Sequence, residues 1–192
     1  METEEIKKDD RTLFGFWVYL MTDLIMFGAL FAAYVVLRDG TFGGPPGAWL
    51  FNLNEALTET LILLTSSFTC GLAMLAAHRG RRVWTTVLFV ATFALGAAFL
   101  TTELREFGAL IAGGNVPQRS AFLSAFFTLV GTHGLHIAIG LLWLLVGIIH
   151  VWVRGLTPAT ISKLSRFALF WHFLDVVWIF IFSVVYLLGV AT

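Results

Sequence analysis

Five stretches of the chain are apolar almost without interruption, at residues 13–37, 56–77, 83–104, 121–153 and 167–189, with polar segments between them. About 20 apolar residues, rising about 1.5 Å each as a helix, cross a bilayer core of about 30 Å. Every one of the five meets that length. None alternates apolar and polar positions in the short segments that barrel strands need. Backbone groups in lipid must be satisfied internally, which leaves helices. The pattern predicts one all-α domain over 1–192, an integral membrane bundle of five transmembrane helices. The connections read as short, so consecutive helices are expected to be antiparallel neighbours. The fourth stretch would approach about 50 Å as a helix, so it must tilt or protrude from the bilayer.

Composition strengthens this picture. The apolar fraction is 58% and mean hydropathy is +0.87, whereas soluble domains run nearer ~45–50% apolar. A net charge of zero gives nucleic acid nothing to hold. Cys70 is the single cysteine, so no intrachain disulfide or CxxC motif exists. The opening METEEIKKDDR lacks the apolar core of a signal peptide, and the first span is expected to act as its own insertion signal. Lys7, Lys8, Arg11, Arg79, Arg81, Arg82, Arg154, Lys163 and Arg166 fall on one side of the alternating path. Only Arg38, Arg105 and Arg119 fall on the other. Positive residues stay inside, so the N-terminus is expected in the cytoplasm and the C-terminus in the periplasm. Trp49 near the outer interface, and Trp84 and Trp152 near the inner one, suit aromatic belts.

The informative residues are the ionisable ones inside the spans, because such groups are costly in lipid and mark function or interhelical polar contacts. Asp23 lies about ten residues into the first span. It is either a carboxylate on a proton path or lipid cleft, or a protonated aspartate hydrogen-bonded to a neighbouring helix. Gly28, Ala29, Ala32 and Ala33 give the same helix a small-residue face suited to close packing. In the fourth span Ser120, Ser124, Thr128, Thr132 and His136 recur at four-residue steps, a ladder that winds by about 40° per step. His133 and His136 form an HxxH pair, but no third ligand accompanies them as in HExxH. Interhelical glue is the better reading, and no metal site and no catalytic residue are expected.

In the fifth span His172 and Asp175 are three apart and can pair, as a proton relay or a haem-ligand support, or, the better reading, as a satisfied polar contact. Ser183 and Tyr186 are expected to continue that face, with Trp171 and Trp178 offset from it. Glu103 and Glu106, at the outer end of the third span, are three apart and could bind a cation, but with Arg105 and the interface nearby they are expected in surface or subunit contacts. The chain has no phosphate loop and no nucleophile elbow.

Three segments, LFGFWVYLMTDLIMF, SAFFTLVGTHGLHIAIG and FWHFLDVVW, together resemble subunit III of the haem-copper terminal oxidases. Glu103 and Glu106 fit its E-x-x-E signature, and the similarity runs from Leu13 to Gly189. The chain resembles the five-helix variety rather than the seven-helix one. Its charged start, its length and the wording SAFFTLVGTHGLH look most like the branch in bacterial cytochrome bo-type ubiquinol oxidases. The resemblance implies a non-catalytic subunit in the inner membrane. It would carry no cofactor of its own, with haems and copper in a partner subunit I and further contacts to subunits II and IV. It would hold phospholipid in a cleft and support proton uptake and enzyme lifetime. Asp23 stands where the family's buried acid, often a glutamate, is found. Arg154 and His150 are the candidates for lipid headgroups. The same subunit in a five-helix cytochrome c oxidase is the other reading. A free-standing proton-coupled transporter would want inverted repeats and broken helices, and the chain displays neither.

Overall fold

The computed structural model describes residues 2–43, 50 and 52–191, and the side chains within 2–10 and 190–191 are left aside. Trp49 and most of the Gly/Pro-rich first loop therefore lie outside the described residues. Five helices follow in order: α1 (Glu2–Leu37), α2 (Leu53–His78), α3 (Arg82–Ala112), α4 (Ala121–Arg154) and α5 (Pro158–Ile181). A 3-10 turn, Pro117–Arg119, precedes α4. Beyond α5 the chain opens into a wide π-type turn, Phe182–Leu187, and then a final helical turn, Leu188–Ala191. All five helices are long and apolar enough to cross a membrane.

Helix ends depend on capping rather than hydropathy, so several helices outrun their apolar stretches. The Asn52, Ser120 and Thr157 side chains accept hydrogen bonds from Asn54 N, Leu123 N and Thr160 N, satisfying amides that the first turn leaves free. Pro158 takes the first position of α5, where its missing N–H costs nothing. Hence α5 starts at 158 rather than 167, and α3 runs to Ala112 rather than 104. Gly155 ends α4 at φ 73°, a left-handed conformation that favours glycine.

Helices α2, α3, α4 and α5 form a packed body, with α2 and α3 the most intimate pair and α5 lying against both α2 and α4. Two tryptophans centre it. The Trp171 ring fills a slot between two helix backbones. A Cβ on Gly96 of α3 would meet its Cη2 at 2.8 Å, and one on Gly140 of α4 would meet its Cζ3 at 2.9 Å. Its indole N–H donates to Ser66 Oγ (3.2 Å), and that of Trp178 donates to Thr60 Oγ1 (3.1 Å). Both hydroxyls belong to α2, so α5 is tied to α2 by shape and by hydrogen bonds together.

Helix α1 departs from the expected order. It packs on α4 and less extensively on α5, and among the described residues it makes no extended contact with α2. The connection over residues 38–52 is long enough to carry the chain across the bundle. The described start of that connection meets α4 instead, where Phe122 N donates to Gly40 O. The expected small-residue face of α1 is also not packed within this chain. Ala29, Ala32 and Ala33 are exposed, and a Cβ on Gly28 would meet nothing. At the opposite end of the bundle Arg82 donates to Trp152 O and lies over the Trp152 ring, 5.8 Å from its centroid. The α2–α3 loop and the end of α4 therefore share one face of the bundle, as the loop charges imply.

Candidate functional site

The sequence-flagged polar residues gather into three separate places. The first joins α1 to α4. Asp23 is buried and faces His136, whose Nε2 lies 3.7 Å from Oδ2. The other imidazole nitrogen, Nδ1, lies 2.8 Å from Thr132 O. Nδ1 can reach that carbonyl only by carrying a hydrogen, and Asp23 Oδ2 has no hydrogen-bond partner. The Tyr19 phenol interacts with the same carboxylate. The HxxH pair does not act as a pair. His133 is fully buried with neither ring nitrogen hydrogen-bonded. It stacks on Trp178 at 5.4 Å and meets Phe99 edge-on at 5.9 Å. Phe27 of α1 contacts both imidazoles.

The second place joins α5 to α2. His172 and Asp175 make no direct ion pair. Ser67 of α2 takes the position between them, its Oγ 2.7 Å from His172 Nδ1 and interacting also with Asp175. The three-residue spacing does put both on one face, but that face meets a hydroxyl on another helix. Ser183 and Tyr186 do not continue it. The π-type turn shifts the register, leaving Ser183 exposed on its own helix carbonyl and turning Tyr186 inward.

The third place corrects the reading of Glu103 and Glu106 as surface residues. Since α3 continues past them, they lie within the bundle. Glu103 is 1% exposed and neither carboxylate oxygen has a hydrogen-bond partner. It fits only because Gly134 has no side chain, as a Cβ there would meet Glu103 Oε2 at 3.0 Å. Glu106 accepts a hydrogen bond from Tyr186 OH at 3.0 Å. Glu59 of α2, which the sequence reading passed over, is buried beside them and interacts with both. Its signal was available, since Glu59 is an ionisable residue inside an apolar stretch, as Asp23 is.

The ladder on α4 mostly serves its own chain: Ser120 caps the helix, Ser124 donates to Pro117 O and Thr128 to Ser124 O. Two cavities complete the picture. One of about 580 Å3 is an apolar groove between α1 and α5, with Leu20, Leu24, Gly28, His172, Val176 and Phe180 among its walls. Asp23 lies beside it, on the side of α1 that faces α4. The other, about 250 Å3, lies between the end of α4 and the start of α5 and includes His150. Arg154 is exposed nearby. Among the described residues no three His, Cys, Asp or Glu side chains are arranged to hold a metal ion. The arrangement offers groups that can hold or exchange protons and surfaces that suit acyl chains.

Residues 3–190 match the family described as cytochrome c oxidase subunit III. The chain is 55% identical over 178 residues to cytochrome bo(3) ubiquinol oxidase subunit 3 of Pseudomonas aeruginosa, covering 93% of this chain and 85% of that one. It is 44% identical to quinol oxidase subunit 3 of Bacillus subtilis, covering 93% and 88%. It is also 44% identical to cytochrome c oxidase subunit 3 of Bacillus sp. strain PS3, covering 92% and 86%.

Proposed function

The chain belongs to the cytochrome c oxidase subunit III family, and on that premise we propose that it is the non-catalytic subunit III of a proton-pumping quinol oxidase. It is a multi-pass protein of the bacterial inner membrane. The observation that carries the quinol reading is the 55% identity to a ubiquinol oxidase subunit over nearly the whole chain. The equal 44% identities to a quinol oxidase and a cytochrome c oxidase subunit keep a second reading, the same subunit in a five-helix cytochrome c oxidase. Purification through a tag on this chain separates the two. Oxygen uptake driven by a quinol and not by reduced cytochrome c supports the first, and the reverse overturns it.

Within that complex the chain packs beside subunit I, with subunits II and IV as further partners. Haems and copper stay in subunit I. The isolated chain should carry iron and copper only at background, and stoichiometric metal would sink this reading. The N-terminus lies in the cytoplasm. A reporter fused after Thr192 should therefore be active only in the periplasm. The open α1–α5 groove holds phospholipid, and the unpacked small-residue face of α1 supports a lipid or a partner helix lying there. Asp23 sits near the proton entrance of subunit I rather than on an electron path. Asp23→Asn should then assemble with an unchanged haem spectrum and lose oxygen-reduction rate mainly at high pH or on prolonged turnover, when proton supply limits. A rate equal to the parent's under both conditions reduces Asp23 to a packing residue.

A further inference from the structure

Four carboxyl groups follow the seam between α2 and α3. Ser66 Oγ donates to Thr92 O, and Thr69 Oγ1 lies 2.9 Å from Thr92 Oγ1, which fixes how these antiparallel helices face each other. Glu59 lies about two turns from Ser66 and Glu103 about three turns from Thr92, both toward the end of the bundle where α2 begins and α3 ends. The same seam therefore carries both. Glu106 is three residues beyond Glu103, and Glu55 is four residues before Glu59. Each shares a face with its neighbour and lies one turn nearer that end. Exposure follows the same order. Glu55 is exposed, Glu106 is half-buried, and Glu59 and Glu103 are 3% and 1% exposed.

The inner pair lacks the contacts that buried carboxyl groups need. Both oxygens of Glu103 and Oε2 of Glu59 have no hydrogen-bond partner. Among the described residues no Lys, Arg or His forms an ion pair with any of the four, and they are not arranged to hold a metal ion. Negative charge on Glu59, Glu103 and Glu106 together would have nothing to offset it in so apolar a bundle, so protons must be shared among them. A protonated carboxyl group donates as well as accepts. The surroundings are shaped to this cluster. Gly134 of α4 makes room for the Glu103 carboxyl, which a Cβ there would meet at 3.0 Å. The π-type turn Phe182–Leu187 brings Tyr186 inward to donate to Glu106 at 3.0 Å, and such turns are frequent at functional sites.

We propose that Glu59, Glu103 and Glu106 form a proton-holding site that binds ordered water between α2 and α3 and is loaded from the aqueous phase past Glu55. Water bridges oxygens that do not reach one another. A proton taken from bulk water by the Glu106 carboxylate passes through bridging water to the Glu103 or Glu59 carboxylate, which restores Glu106. Release runs the same steps in reverse. The site is separate from Asp23, which faces α4 from α1, and it does not depend on whether the electron donor is a quinol or cytochrome c.

The test is infrared difference spectroscopy of the purified oxidase complex, with glutamate isotope-labelled at its side-chain carboxyl carbon to separate its bands from those of aspartate. Subtracting the Glu103→Gln complex from the parent at neutral pH cancels the glutamates of other subunits and should leave the band of a protonated carboxyl group. That band should shift promptly in heavy water, because water reaches the group. The exchange should slow several-fold in Glu55→Gln. Glu59→Gln should displace the remaining band, because the two groups share water. A carboxylate band in place of the acid band overturns the proposal. So does an acid band that never exchanges in heavy water, which describes a dry acid with a fixed proton. Stoichiometric metal ion lost with Glu103→Gln overturns it as well, since a cation would then balance the charge. If Glu103→Gln fails to assemble, Glu106→Gln at the half-buried rim gives the same subtraction, and a spectrum unchanged in the acid region there sinks the proposal equally.

Discussion

Helices α1 and α2 look alike in sequence and behave differently in the bundle. Their most apolar windows have mean hydropathies of 2.1 and 1.8, yet 22% of the α1 window is buried within the chain against 50% of the α2 window. Lipid tails are as apolar as leucine, so hydrophobicity does not draw helices together in a bilayer; close packing and polar contacts do. Helix α2 has the means. Ser66, Ser67 and Thr60 reach His172 and both core indoles of α5, and Ser66 donates to Thr92 O on α3. Helix α1 has one deep polar contact, Asp23 to His136, and an open groove at its side. Helix α1 adds Leu20, Phe27 and Tyr34 to the core and leaves most of the rest of its described surface uncovered within this chain.

The comparison is broken most severely inside the body. Gly140→Val would drive a side chain into the Trp171 ring, which already lies 2.9 Å from the position of a Cβ there. Neither α4 backbone nor indole can retreat, because Gly96 closes the other side. The expected cost is about 3 kcal/mol, the upper end for overpacking. Thermal unfolding of the purified complex should show subunit loss at markedly lower temperature.

At the α1–α4 seam the effect is smaller and separates two chemistries. Asp23→Ala removes the carboxylate that lies 3.7 Å from His136 Nε2 and interacts with the Tyr19 phenol, and since Asp23 Oδ2 has no hydrogen-bond partner the expected cost is about 1 kcal/mol. Asp23→Asn keeps a group that can both donate and accept, so most of the stability should survive. Combining Asp23→Ala with His136→Ala gives a coupling energy. Polar pairs between membrane helices couple by about 0.6 kcal/mol on average and up to about 1.7. A coupling of zero would mean that the 3.7 Å approach holds nothing together.

Much of this was legible in the residues. The number of spans followed from hydropathy alone, because the bilayer sets one length for all of them. Asp23 and His136 were each flagged by depth. Their pairing was not, because the loop charges and spans place helices on a path without saying which ones touch. The assumption that neighbours in sequence are neighbours in space held for α2 to α5 and failed for α1. The acid cluster was misread for a local reason. Apolar content fades near Glu103, so the helix was taken to end where it continues, and one buried and one half-buried carboxylate became surface ones. The register shift at Phe182–Leu187 has no proline or glycine to announce it, and so Tyr186 was placed on the wrong face.

That turn gives a finer test. Tyr186→Phe removes the donor to Glu106 and keeps the ring against Trp178 and Phe126. A loss of about 1 kcal/mol is expected, read as a modest shift in the unfolding midpoint. Glu106→Gln should lose less, since its amide oxygen can still accept from the phenol. If Tyr186→Phe is without effect, the wide turn serves ring packing alone.

The smallest effect within the chain is expected on the outer face of α1, and it sharpens the comparison most. Ile25 is 72% exposed, close in sequence to Asp23 but pointing away from α4 and absent from the groove walls. In lipid, trimming such a side chain changes few contacts. Ile25→Ala should therefore leave the detergent-solubilised chain within about 0.5 kcal/mol of the parent, as for other substitutions away from packed features. The assembled complex can give a different answer. If subunit I or another partner covers this face, Ile25→Ala leaves a cavity at the interface, and retention of this chain during purification should fall while its own unfolding midpoint stays put. If only lipid covers it, both measurements stay unchanged. A drop in the midpoint of the isolated chain would contradict the division drawn here, because it would mean that α1 is held by its exposed face as firmly as α2 is held by its buried one.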